Sequence, residues 1–475
     1  MRAALLFLPL LALSAPAQER WLPLDELPRA QGQVDPRGRL LELGQRLARA
    51  LPAPLRGLSV PTRGELRLAV VLVELADQAR PAGFAEPAHW ERALFSRGYA
   101  RTATGEPAFG SLAEWYAENS GGALQVGGRV FDWVRIPGTR AGLAARPMFL
   151  GQRALFGAAL DALLRREGPR ALDGFHALAF VVAGEMQGLE RGSVLWPHSA
   201  ALLHQGRPWR YYVMTSELTR FAPIGVHCHE LGHVLGILDK YGLDQGGGLG
   251  QWCAMALGAH GAQEHGVPLE APTVSAGQAA RGFLEGQVRE ALERLRGLGR
   301  PGRESPRASR PSSSGEARPL HLCAPCKLRL GWSRPVTIDP RRGPVRLELR
   351  AIEEDPGQVV RVPLDPCGRE ALVLEYRRPV GFDAELPREG LLVWRTGSPL
   401  ALLRTFVPLE RVELLAAHGQ PSLDAALRDP RFVPFPTAER AELTARGERP
   451  GAWAVTLRGI AIEGQRLRVE VSRAE

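Results

Sequence analysis

Residues 225–242 read "GVHCHELGHVLGILDKYG" and place three histidines, a glutamate and an aspartate in eighteen positions. His229 and His233 are four residues apart, so on a helix they stand on one face, one turn from each other. Two imidazoles so placed can approach one zinc ion at ordinary Zn–N distances. Glu230 comes directly after the first of them and can reach a water on the metal without being a ligand itself. Two neutral nitrogens plus one carboxylate or a third histidine leave a coordination position open. Zinc lowers the pKa of a water held there, and a neighbouring glutamate can take its proton. The pattern H-E-x-x-H arises by chance in about 1–2% of chains of this composition, so the pentad alone is moderate evidence. The residues after His233 lengthen the pattern. Gly236 comes three residues after His233 and Asp239 three after that. A glycine there can take positive φ, end the helix abruptly and turn the chain so that Asp239 returns to the metal.

Other polar groups nearby are weaker candidates. His227 is two positions from His229 and faces away from it on a helix, which suits a packing contact or one behind the ligands. His198, in "LWPHSA", is a second candidate for such a contact, although a hydrogen-bonded structural histidine is the simpler reading. Glu217 is an alternative third ligand, but nothing in its spacing recommends it.

The rest of the chain narrows the class. Its 475 residues leave room for two to four domains, and 45% apolar with 23% charged residues is ordinary globular composition. The net charge of +9 is nearly all arginine, because Lys240 and Lys327 are the only lysines. Those arginines are scattered among acids and apolar residues rather than gathered with aromatics, so a nucleic-acid partner is not expected. "MRAALLFLPLLALSAPAQ" has an early arginine, an apolar run from Ala3 to Leu13 and then Ala15-Pro16-Ala17. That is the pattern of a signal peptide over 1–17 cleaved after Ala17, predicting a secreted or periplasmic protein. No later stretch is long and apolar enough for stable membrane insertion. Cys228, Cys253, Cys323, Cys326 and Cys367 are an odd count, so at least one thiol has no partner within the chain. Cys323 and Cys326 can close a small loop, while Cys228 reads as a buried small apolar residue.

Residues 18–62 read as an N-terminal extension or propeptide with one amphipathic helix at "LLELGQRLARAL". "LRLAVVLVEL" and "HALAFVVAG" read as buried strands, and "HWERALFS", "SLAEWYAENSGG" and "RALFGAALDALLRRE" as helices. "ALQVGGRVFDWVRI" reads as a hairpin or two short strands. Alternating strands and helices predict an α/β layer over about 64–260. At 262–318 a charged helix and a Pro/Ser/Arg-rich stretch interrupt the pattern as an insertion. From 320 onward runs such as "VRLELRAI", "ALVLEYRR" and "QRLRVEVS" are β-like. The expected class is α+β, with a core domain over 63–335 and a β-rich C-terminal domain over 336–475.

Several segments, in order, resemble the immune inhibitor A family of secreted, metzincin-like zinc metallopeptidases. "GSLAEWYAENSGGALQVGGRVFDWVRIP" is similar to that family's S-x-x-x-[YW]-Y … S-x-G-x-L-x-V-x-G … W stretch. "LWPH" resembles its Trp-Pro-His segment, "HELGHVLGILDKYG" its H-E-x-G-H-x-L-G-L-P-D-x-Y-D, and "WCAMALGAHG" its W-x-x-M-x-x-G. "KLRLGW" and "LEYRRPVGFDAELPREGLLVWR" resemble the family's β-rich C-terminal part, so scattered likeness covers most of 64–400. The resemblance implies a twisted sheet with an active-site helix and the hydrolysis of peptide bonds in protein or peptide substrates. It implies His229, His233 and Asp239 as Zn2+ ligands, Glu230 as general base and acid, and Met255 as an apolar platform in a Met-turn. Two departures stand out: Leu238 replaces the family's proline and Gly242 its terminal aspartate. The second weakens any Ca2+ site after the zinc helix, and no clear motif supports one.

Three competing readings fare worse. A zinc deaminase needs His-x-Glu beside its C-x-x-C, and here histidine and glutamate are adjacent. A thioredoxin-like motif should open a helix in a small βαβ domain, whereas "HLCAPCKLRLGW" is expected to enter a β-rich tail, its cysteines suiting a structural disulfide, with free thiols the alternative. A catalytically silent zinc-binding or protein-binding protein that kept the fold has no need of Glu230 beside the ligands.

Overall fold

The structure is a computed structural model, and it describes residues 20–27, 60–80, 86–102, 105, 107–146, 148–184, 193–216, 224–240, 249–261, 318–397, 411–417, 433–438 and 440–474. The expected signal peptide, the "LLELGQRLARAL" helix, Glu217, Gly242 and nearly all of the 262–318 insertion lie outside these residues. The chain is a mixed α+β protein, with three five-stranded sheets among the described residues. Among the described residues no helix is long and apolar enough to cross a membrane.

Leu22–Pro23 (β1) is a two-residue strand whose partner lies far along the chain. The first sheet then begins with Gly64–Glu74 (β2). Pro87–Phe95 (α1) and Leu112–Asn119 (α2) lead to Leu124–Arg135 (β3), which lies parallel to β2. The helix α2 starts where Ser111 and Glu114 satisfy each other's backbone N–H groups reciprocally. A π-type turn at Arg153–Gly157 runs into Ala158–Glu167 (α3), and Ala177–Val182 (β4) comes next. His198–His204 (β5) and Arg207–Thr215 (β6) form a hairpin that closes the order β3-β2-β4-β6-β5. Every residue of β4 is buried because both sheet faces are covered. Leu178, Phe180 and Val182 pack with Leu160 and Leu163 of α3 on one face. Ala177, Ala179 and Val181 face the core that contains α1, α2 and Ile224–Val234 (α4).

The stretch expected as a hairpin or two short strands is instead the single twelve-residue strand β3. Gly127-Gly128 is not a turn there. Gly128 pairs with Leu68, and a Cβ on it would lie 2.0 Å from the Leu68 carbonyl oxygen and 2.9 Å from the Phe95 ring. The glycine permits a close approach of backbone and helix rather than a change of direction.

Past the insertion, Ala324–Arg329 (α5) is a short helix opened by Cys323, where a β-rich continuation was expected. Pro325 at its start has no N–H to lose, which suits a first turn. Further strands lie at Val336–Thr337 (β7), Val345–Leu349 (β8), Val359–Pro363 (β9), Ala371–Arg377 (β10), Gly390–Gly397 (β11), Arg411–Leu415 (β12), Leu443–Arg446 (β13), Ala454–Glu463 (β14) and Arg466–Arg473 (β15). They make two sheets, β12-β11-β10-β9-β7 and β1-β8-β15-β14-β13. Between these lies a core of alternate residues such as Val360, Leu372, Leu391, Leu347, Leu457 and Val469. Part of the N-terminal extension therefore belongs to the C-terminal sandwich, with Leu24 buried in its core. The opposite face of the β10/β11 sheet, through Val359, Val373, Leu392 and Trp394, joins the same apolar cluster as α4 and Met255.

The two glycines of β3 offer a matched test. Gly127→Ala adds a methyl into open space and should leave stability within about 0.5 kcal/mol. Gly128→Ala should cost about 1–3 kcal/mol in urea unfolding, because backbone must move to admit the Cβ. Equal midpoints for the two variants would contradict the close approach.

Candidate metal centre

The helix α4 buries nearly every residue it has, His229 and Glu230 included. Its C-terminus is a Schellman turn: Ile237 N–H donates to Gly232 O at 3.0 Å and Gly236 N–H to His233 O at 2.9 Å. Gly236 sits at φ 97°, a conformation that a side chain would strain. Arg329 Nε donates to the Gly236 carbonyl at 2.9 Å and holds the turn from α5. Past the turn, Lys240 N–H donates to Met255 O at 2.7 Å, so the segment carrying Asp239 is fastened at both ends.

This geometry brings Asp239 back to the two histidines. Its Oδ1 lies 3.1 Å from His229 Nε2 and 3.1 Å from His233 Nε2, and the two Nε2 atoms are 3.1 Å apart. The other ring nitrogens fix the tautomers. His229 Nδ1 donates to Ala254 O at 2.8 Å and His233 Nδ1 to Ile237 O at 2.8 Å. A carbonyl only accepts, so each Nδ1 carries a hydrogen, and in the neutral form each Nε2 presents its lone pair to the common point. In a tetrahedral zinc site with Zn–N near 2.0–2.1 Å, neighbouring donors stand about 3.3 Å apart, close to the spacing found here. The donor set therefore fits a divalent cation of the zinc type. Exposure rises from His229 to His233 to Asp239, at 8%, 17% and 39%, so the site opens to solvent on the Asp239 side.

Without a cation the group is held together by charge. Burial opposes a proton on His233, but Asp239 and Glu230 outweigh it and raise its imidazole above the ordinary range. Burial would raise the Asp239 carboxyl too, yet the two histidines overcome it and hold it well below the usual carboxylate range. Glu230 is shifted the other way, upward, by burial, against the pull of His229 and His233. Its Oε2 is buried and has no hydrogen-bond partner among the described residues. A carboxyl so placed can take up a proton.

No family model and no curated protein matches this chain. Met255 is fully buried, and a Cβ at Gly232 would come within 2.5 Å of its Sδ, so its thioether lies directly against α4. Tyr116, on α2, donates to the Cys228 carbonyl at 2.7 Å and pins the same helix from another side. His227 is buried against Tyr212, with Nδ1 2.9 Å from the phenol oxygen, and burial lowers its pKa to about 3. His227 thus contacts β6 through Tyr212. His198 is not brought to the site. It lies opposite Val213 on the sheet face away from α4, against Phe156 and Tyr211, with Nδ1 donating to Trp196 O at 2.7 Å. The Ala254 carbonyl, Tyr116 and Gly232 were not singled out from sequence. A backbone carbonyl carries no residue signal, and Tyr116 lies far from the motif in the chain.

Gly236→Ala should weaken cation binding about tenfold in equilibrium dialysis and lower stability by about 1–2 kcal/mol, since the turn that returns Asp239 becomes strained. Unchanged affinity would show that Asp239 reaches its position without the glycine.

Proposed function

We propose that the chain is a zinc-dependent endopeptidase with a metzincin-like catalytic domain, secreted or periplasmic, acting on protein or peptide substrates. The observation that carries this is the convergence of His229 Nε2, His233 Nε2 and Asp239 Oδ1 beside a buried carboxylate, Glu230, that has an unpartnered oxygen. A purely structural cation site has no use for such a base. Zinc held by the three donors supplies Lewis acidity toward the scissile carbonyl and makes water acidic enough to ionise near neutral pH.

The protein's own groups do the rest. The Ala254 and Ile237 carbonyls keep both imidazoles turned with Nε2 inward. Asp239 offsets part of the cation's charge and marks the open side of the site. Glu230 takes a proton from the attacking water and delivers it to the leaving amine, a role suited to a carboxyl whose pKa burial raises toward neutrality.

The purified mature protein and its Glu230→Ala variant should each bind about one zinc per chain at this site, with casein cleavage falling about 10²–10⁴-fold in the variant. A chelator should abolish the parent's activity, and added Zn2+ should restore it. A parent that binds zinc and cuts no substrate would favour a silent binding protein. A parent that binds no metal would overturn the reading.

A further inference from the structure

A second group of donors lies next to the turn at Met255 and has no part in the mechanism above. Cys253, Cys323 and Cys326 come from two segments and are almost wholly buried, at 0%, 0% and 1% exposure. Their sulfurs lie within 4.8 Å of one another, with Cys323–Cys326 at 3.5 Å and Cys253–Cys326 at 3.8 Å. All three are thiols. Three thiolates around one ion with metal–sulfur distances near 2.3 Å stand about 3.8 Å apart, whereas a disulfide needs about 2.0 Å. The backbone adds a further donor toward sulfur: Cys323 N–H points at Cys253 Sγ at 3.4 Å, an interaction that favours a thiolate.

We propose that Cys253, Cys323 and Cys326 bind a soft, thiophilic d10 cation, Zn2+ or Cu+, as a structural clamp on the turn at Met255. Each thiol gives up its proton as the cation binds. Thiolate donors select this class over magnesium or calcium, which take oxygen ligands. The clamp fastens two segments that already touch. Ala254 N–H donates to His321 O at 3.0 Å, and Leu320 N–H to Gly258 O at 2.8 Å. Ala254 is also the residue whose carbonyl orients His229, so the thiol site stiffens the support of the first site without joining it.

Cobalt separates the two sites, because only a thiolate site gives an intense sulfur-to-cobalt charge-transfer band in the near ultraviolet. The full chain, purified under reducing conditions and loaded with Co2+, should take up about two ions and show that band. Cys253→Ser should lose the band and one ion, while a His229→Ala/His233→Ala double variant should lose one ion and keep the band. Because the second variant disables the first site, the thiol proposal stands or falls independently of the peptidase reading. Titration with Cu+ against a competing chelator then shows which of the two cations the site prefers. If Cys253→Ser does not fold, the parent's own band decides. A parent without the band, in which all five cysteines react after denaturation, would show packed thiols only. Two fewer reactive thiols without reductant would show a disulfide. Either result overturns the proposal.

Discussion

The 2.8 Å hydrogen bond from His229 Nδ1 to the Ala254 carbonyl is the contact on which the candidate centre depends. It decides which nitrogen of the first histidine is free, and it does so from a loop twenty-five residues downstream. That loop is placed by further backbone bonds, from Lys240 N–H to Met255 O and from Ala254 N–H to His321 O. A displaced loop would leave His229 free to rotate or change tautomer, and its lone pair would no longer meet those of His233 and Asp239. The geometry at the centre is thus set by long-range backbone contacts as much as by the helix.

The C-terminal sandwich belongs to the same chain of support. Arg377, at the end of β10, is fully buried and pairs with Glu353 at 2.6 Å and with Asp383. Its Nη1 also donates to the Trp252 carbonyl at 3.3 Å, one residue before Cys253. Nearby, His321 bonds Glu118 on α2 at 2.7 Å, and its N–H donates to Asp383 at 2.8 Å. Arg377, Glu353 and Asp383 have no solvent to fall back on, so loss of one of them would leave an uncompensated buried charge, a cost of about 3–5 kcal/mol. Such a network specifies one arrangement of the loop, the sandwich and the first sheet. The two parts also share one apolar cluster.

Some of this was legible beforehand. The apolar runs that became β2 and β4 and the helices at 87–95 and 112–119 arise from local periodicity and capping. The C-terminal strands were visible as alternating runs. Other features were not. "ALQVGGRVFDWVRI" read as a hairpin or two short strands, and only the opposing Leu68 carbonyl reveals that Gly128 permits a close approach within one strand. "CAPC" promised a small loop, and it opens a helix whose thiols meet a third from far upstream. Leu22–Pro23 gave no hint of pairing with β8 in the last sheet, nor Leu24 of entering the core of the sandwich.

By itself the sequence determined that two imidazoles share one face of a helix, that a glutamate stands beside them, and that a glycine ends the helix in time for Asp239 to turn back. Those features depend on contacts within one or two helical turns, which spacing encodes. Only the tertiary structure decided which ring nitrogens face inward, that His198 lies on the wrong side of the sheet, and that three cysteines gather under the turn at Met255. Each of these rests on partners tens to hundreds of residues away, and the energy of such a contact depends on a fold that local spacing does not record.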